Sequence, residues 1–164
     1  EVRAQLDTVS GSILNIRVGG NDLSHAFGLR RPANRTIYDL RPVADILIDI
    51  VAAFGTQYVV SGPVWEYYSG EGWEEGLRRE MELDLLNGFT GKTVIHPNQI
   101  PVVNEMLRVS QRDYADARAI LNWDTGSGSL VSASEDGGRM NEYNTHSRWA
   151  RRIVLRAERY GVRA

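Results

Sequence analysis

The amino-acid sequence predicts an α/β chain built on a parallel sheet. Short β-rich runs alternate with stretches of amphipathic, helix-length sequence. Each run stops at a Gly turn, a Gly-Pro or a His-Pro. The composition, 42% hydrophobic and 24% charged, suits a globular core.

Residues 1–8 read as the end of a helix, broken by Ser10, Gly11 and Ser12. The chain opens without Met on sequence that is already helix-like, so a segment of a longer protein is expected. Ile13–Val18 reads as the first strand, with Leu14, Ile16 and Val18 on an apolar face and Asn15, Arg17 and Gly19 on the other. Arg17, if buried there, needs an acidic partner. A polar loop over 28–37 leads to a helix from about Leu40 to Phe54. Its stripe runs Val43, Ile46, Leu47, Ile50, Val51, Phe54, with Pro42 in the first turn and Gly55 as the stop.

Gln57–Ser61 is the second strand, ended by Gly62-Pro63 and followed by an aromatic, acidic loop holding Trp65, Glu66, Tyr67 and Tyr68. A helix from Gly72 or Trp73 to Leu86, with Leu77, Met81 and Leu85 as its spine, ends at Asn87-Gly88. Lys92–Ile95 is a third, very short strand. A long helix from about Asn98 to Asn122 is expected next, with Ser110 and Gln111 as a point of interruption. Residues 124–138, rich in Gly, Ser and Asp, read as a mobile excursion with a brief strand at 130–133. A last helix covers about Glu142 to Tyr160. Its arginines (Arg148, Arg151, Arg152, Arg156, Arg159) form a solvated or subunit-facing surface.

Several function classes are disfavoured. A net charge of −2, from 19 basic and 21 acidic residues, offers neither a nucleic-acid footprint nor a polybasic membrane patch. The absence of cysteine removes thiolate chemistry, disulfides and Cys-type zinc sites. No apolar run approaches the roughly 20 residues of a membrane span, and no signal-peptide pattern is present, so the expected location is cytoplasmic. There is no P-loop, G-x-G-x-x-G, G-x-S-x-G or H-E-x-x-H.

Ligands of parallel α/β folds bind beyond the C-terminal ends of the strands. That rule selects the loops at 19–25, 61–66 and 96–99. Asp22, after a Gly-Gly pair, either presents oxygen to a hard cation such as Mg²⁺ or caps a short helix beginning at Leu23. His25 reads as structural. His96 either works on substrate or fixes its turn through a backbone hydrogen bond. Glu66 is either a ligand or a surface carboxylate.

Taken together, these loops resemble a known family. Gly88-Phe89-Thr90-Gly91-Lys92-Thr93-Val94-Ile95-His96-Pro97-Asn98-Gln99-Ile100 resembles the G-F-x-G-K-x-x-I-H-P-x-Q-I signature of citrate lyase beta subunits and malyl-CoA lyases, in the HpcH/HpaI aldolase superfamily. Gly19-Gly20-Asn21-Asp22-Leu23 resembles that family's G-x-x-D-L segment. The resemblance implies the C-terminal portion of a (β/α)8 TIM barrel, about three β/α units over residues 1–123, with a C-terminal lid or oligomerisation segment over 124–164. A whole barrel takes about 250 residues.

It also implies a Mg²⁺-dependent carbon–carbon bond lyase, acting on a 3-hydroxyacyl thioester or a 2-oxo or hydroxy acid, with a CoA thioester as substrate carrier. Asp22 is the implied metal ligand. Gly19, Gly20, His96 and Pro97 are the implied substrate contacts, and Glu142, in the lid of a neighbouring subunit, is the implied proton-transfer residue where relatives carry Asp. The second metal carboxylate and the substrate-gripping arginines fall before residue 1, so the isolated segment is expected to be inactive. Relatives often have an acidic residue where this chain has Ser61. A homo-oligomer is expected, with no nucleic-acid or membrane partner. The alternatives are a non-catalytic binding or regulatory paralogue and a thioester-independent 2-oxo-acid aldolase.

Overall fold

The computed structural model describes residues 2–123 and 131–164. These fall into two compact units, Glu1–Met106 and Leu107–Ala164.

The first unit carries a three-stranded parallel sheet in the order β1 (Ile16–Arg17), β2 (Val60–Gly62), β3 (Gly91–Lys92). The register pairs Ile16 with Val60, and Ser61 with Gly91. Helix α1 (Val2–Asp7) precedes the sheet, and α2 (Gly20–Ala26) follows β1 directly. Helix α3 (Arg41–Phe54) connects β1 to β2, α4 (Trp73–Leu86) connects β2 to β3, and α5 (Gln99–Met106) follows β3. The apolar stripe of α3 packs as its spacing predicts. Val43 and Leu47 are fully buried with Val18, Ile37, Val60 and Phe89, and Ile50, Val51 and Phe54 lie against them. The end of α4 is a Schellman turn. Gly88 takes φ 97°, its N–H meets the Leu85 carbonyl, and the Phe89 N–H meets that of Asp84.

The strands are shorter than the sequence suggests. Leu14 is 89% exposed, so the apolar face of the first strand begins at Ile16. Tyr58 N–H bonds back to Phe54 O, which keeps the turn after α3 closed and delays β2 to Val60. Arg17 is exposed, so the buried partner expected for it is not needed.

The interruption expected at Ser110 and Gln111 is present, and it divides the 98–122 stretch into two separate helices. The sequence between α5 and α6 (Gln111–Leu121) is a break carrying β4 (Val109–Ser110). Ser110 ends the strand and caps α6, its Oγ accepting the Asp113 N–H at 3.1 Å. Strand β5 (Val131–Ala133) pairs antiparallel with β6 (Met140–Glu142), and α7 (Tyr143–Tyr160) then packs on α6. Residues 124–130 of the expected excursion lie outside the described residues; 131–142 form this hairpin. A strand that the sequence did not suggest, β7 (Val162–Arg163), pairs parallel with β4. Val109, Ala117, Ile120, Ala150, Ile153 and Ala157 form the core of this unit. Of the α7 arginines, Arg156 is half-buried rather than solvated, and burial lowers its guanidinium pKa from the usual value.

Candidate active site

Gly19 and Gly20 stand at the C-terminal end of β1. Helix α2 starts at Gly20 with Gly19 as its N-cap, ahead of the expected Leu23, so Asp22 lies within the first turn and is not the cap residue. No side-chain cap bond forms at this end, and the carboxylate is exposed. A Cβ placed on Gly19 would collide with the Asp22 carboxylate, and one on Gly20 would meet Pro63 Cβ at 2.6 Å and Ile37 Cδ1 at 2.7 Å. Gly20 is thus required for the turn to pack on the loop after β2, whereas a side chain at Gly19 would push the exposed Asp22 carboxylate aside. Arg17, Gly19 and Asp22 line an open recess of about 500 Å³ whose apolar wall includes Leu6, Ile16 and Phe54. His25 is exposed at the far end of α2.

His96 and Pro97 follow β3. His96 Nδ1 accepts the Asn98 N–H at 3.2 Å, and the ring stacks on Tyr68 at 4.2 Å between centroids. The turn-fixing bond considered for His96 is thus present, and the stack joins this loop to the one after β2. Glu66, in that loop, pairs with Arg30 at 3.2 Å. Ser61 is buried in β2.

Two groups that the sequence reading passed over hold these loops. Gln99, fully buried, donates from Nε2 to the carbonyls of Trp65 and Tyr67, both at 2.8 Å, and accepts the Ile95 N–H at 3.0 Å. The signature glutamine is a staple between the two loops. Beneath them lies a buried ionic cluster. Lys92 Nζ reaches Glu80 at 2.7 Å and Asp84 at 2.8 Å. Arg31 Nη2 donates to Glu80 at 3.2 Å, while its Nε, 2.9 Å from the same carboxylate, makes ionic contact without an aligned hydrogen bond. Glu80 also accepts the Ile37 N–H, and Tyr38 donates to Asp84, each at 2.7 Å. Burial pushes the Asp84 carboxyl above its usual pKa, against the pull of Lys92, and raises the Tyr38 phenol. A signal for this cluster was present: Glu80 and Asp84 share the helical stripe of Leu77 and Met81, where apolar residues are the rule.

Glu142 belongs to the second unit. It closes β6 and is the N-cap residue of α7. Its backbone N–H bonds His146 Nδ1 at 3.0 Å, and Thr145 Oγ1 donates to its carboxylate at 3.2 Å. Asp22, Gly19, Gly20, His96 and Pro97 all lie in the first unit, at the C-terminal edge of its sheet. Among the described residues no three His, Asp or Glu side chains gather as a metal site.

The sequence model of the C–C bond lyases of the TIM-barrel fold matches residues 1–162. Two L-malyl-CoA/β-methylmalyl-CoA lyases from strains of Cereibacter sphaeroides are 38% and 36% identical over 74 residues, 44% of this chain and 22% of each relative. A solved structure, CitE from Mycobacterium tuberculosis in complex with magnesium, acetoacetate and coenzyme A, superposes with a TM-score of 0.62 at 27% identity. That match covers 88% of this chain and 52% of CitE, so the chain spans about half the length of that neighbour. The parallel strands and their helices are part of a TIM barrel, and the chain belongs to the family of C–C bond lyases of the TIM-barrel fold.

Proposed function

We propose that the whole protein cleaves or forms a carbon–carbon bond in a 3-hydroxyacyl-CoA with the help of Mg²⁺, working in the cytoplasm as a homo-oligomer. The observation that carries this reading is the exposed Asp22 carboxylate. It stands at the C-terminal end of β1, in a recess it shares with Arg17, within a chain of this lyase family. The magnesium and coenzyme A bound to CitE and the malyl-CoA named for the curated relatives support the choice of ion and thioester.

Asp22 fits a hard cation as one oxygen donor. It provides only part of a coordination sphere, so water, substrate and a carboxylate beyond these residues would complete it. The bound ion would supply Lewis-acid polarisation of the substrate carbonyl. The chain's own residues bind and move protons. Gly19 and Gly20 let substrate approach the backbone, and His96 with Pro97 forms the adjoining wall. Glu142, from the lid of a neighbouring subunit of the homo-oligomer, exchanges a proton with the α-carbon of the acyl-CoA product. In the cleavage direction the substrate hydroxyl loses its proton, the bond between the carbinol carbon and the acyl α-carbon breaks, and that α-carbon takes up a proton.

The test is aldehyde-acid release by the full-length protein, with L-malyl-CoA first and a panel of acyl-CoAs and hydroxy acids after it, with and without Mg²⁺. Mg²⁺-dependent glyoxylate release supports the reading. Turnover of free acids alone favours a thioester-independent aldolase, and none across the panel favours a binding paralogue. An Asp22→Asn variant as active as wild type would remove Asp22 from the metal site.

A further inference from the structure

The strand that ends on Glu142 pairs with β5 along its edge and is held by side chains on one of its faces. Successive residues of a strand face opposite ways. Asn141 and, one residue before β6, Arg139 reach to α6, while Met140 is 57% exposed. Asp116 of α6 is the common acceptor: only 3% exposed, it takes Arg139 Nε on one oxygen and Asn141 Nδ2, at 3.2 Å, on the other. The second arm of the Arg139 fork goes to Asp113 at 2.8 Å, and the guanidinium lies 5.5 Å from the centre of the Trp149 ring on α7. A planar fork held by two carboxylates and an aromatic face has little rotational freedom left.

From this geometry we propose that Asp116 is a positioning residue for the lyase reaction. By gripping residues 139 and 141 together it fixes the rotation of β6, and so the direction in which Glu142 presents its carboxylate. Asp113 grips Arg139 alone and is about one-third exposed, so it cannot set the strand's rotation by itself. This inference rests on the reading that Glu142 transfers the proton.

The experiment uses the full-length enzyme with L-malyl-CoA and Mg²⁺. Turnover of Glu142→Gln, Asp116→Asn and Asp113→Asn is measured beside amide hydrogen exchange over residues 139–142. Glu142→Gln is expected to abolish turnover. Asp116→Asn is expected to lower kcat by about 10- to 100-fold, the scale of an ångström-sized misplacement, with KM within about twofold, faster exchange along β6, and a smaller loss for Asp113→Asn. Should Asp116→Asn fail to fold, Asn141→Ala, which removes one of the two grips, is read the same way. Wild-type kcat in the Asp116 variant beside a dead Glu142→Gln overturns the positioning role and leaves the proton-transfer reading intact. A loss carried by KM alone overturns it too. A fully active Glu142→Gln overturns both.

Discussion

Lys92 and Asp84 meet inside the first unit, Nζ to Oδ2 at 2.8 Å, with their side chains 0% and 2% exposed. Lys92 belongs to the G-F-x-G-K stretch, yet its side chain turns back to α4 and joins Glu80 as well. Removing one member of such a cluster leaves uncompensated buried charge. Lys92→Met should therefore destabilise the protein by about 3–5 kcal/mol, measured by urea denaturation. Lys92→Arg should rescue it poorly, because the planar fork does not match the site of a compact ammonium. A Lys92→Met protein as stable as wild type would refute the structural role.

Gln99 offers a second test. Gln99→Leu would strand two carbonyls and one N–H, for a loss of about 2–4 kcal/mol at the usual penalty for unmet buried groups. Gln99→Glu keeps an acceptor for Ile95 N–H but gives up both donations, and should be no better. Thermal unfolding with hydrogen exchange over 64–68 would show it; unchanged exchange in that loop would sink the staple.

The two glycines before Asp22 should separate. Gly19→Ala pushes on the Asp22 carboxylate itself, so Mg²⁺-dependent turnover of the full-length enzyme should fall by more than about tenfold with little change in stability. Gly20→Ala pushes on Pro63 and Ile37 and should instead cost about 1–3 kcal/mol of stability, the usual range for overpacking. The reverse pattern would mean that Asp22 is not where the ion binds.

Acid should probe the grip on Arg139. Burial works against the Asp113 carboxylate, but the bonds from Arg139 and Ser110 outweigh it and hold its pKa below the usual value. A depressed folded pKa stabilises above the unfolded pKa of about 3.9 and is lost as pH falls through the folded value. The stability gap between wild type and Asp113→Asn should be constant near neutrality and shrink below about pH 4. A gap that widens in acid would contradict the assignment. Asp84, raised by burial, carries the opposite sign: its contribution is complete below the unfolded pKa and declines as pH rises toward its folded value.

What could be read from the sequence follows the range of the interactions involved. Helices α3, α4 and α7 were legible because an amphipathic stripe is a local property, and Gly88 marked its stop for the same reason. The strands were legible as sites but not in length, since a ladder of two or three residues has no periodicity of its own. The break between α5 and α6 was legible at Ser110 and Gln111, but the strand inside it was not, because its partner is Val162–Arg163, far along the chain. Asp22, His96 and Glu142 stood out by motif. Gln99, Lys92 and Asp116 did not reveal their roles, because their partners lie on other elements and only the fold brings them near.

The pairing of β4 with β7 has a further consequence. It ties the first residues of the second unit to its last, so this unit is a closed handle with both ends at one point. A body of that form can be excised or permuted without threading chain through its core. A peptide of residues 107–164 should fold alone, and evolution can exchange such a module while leaving the barrel strands untouched.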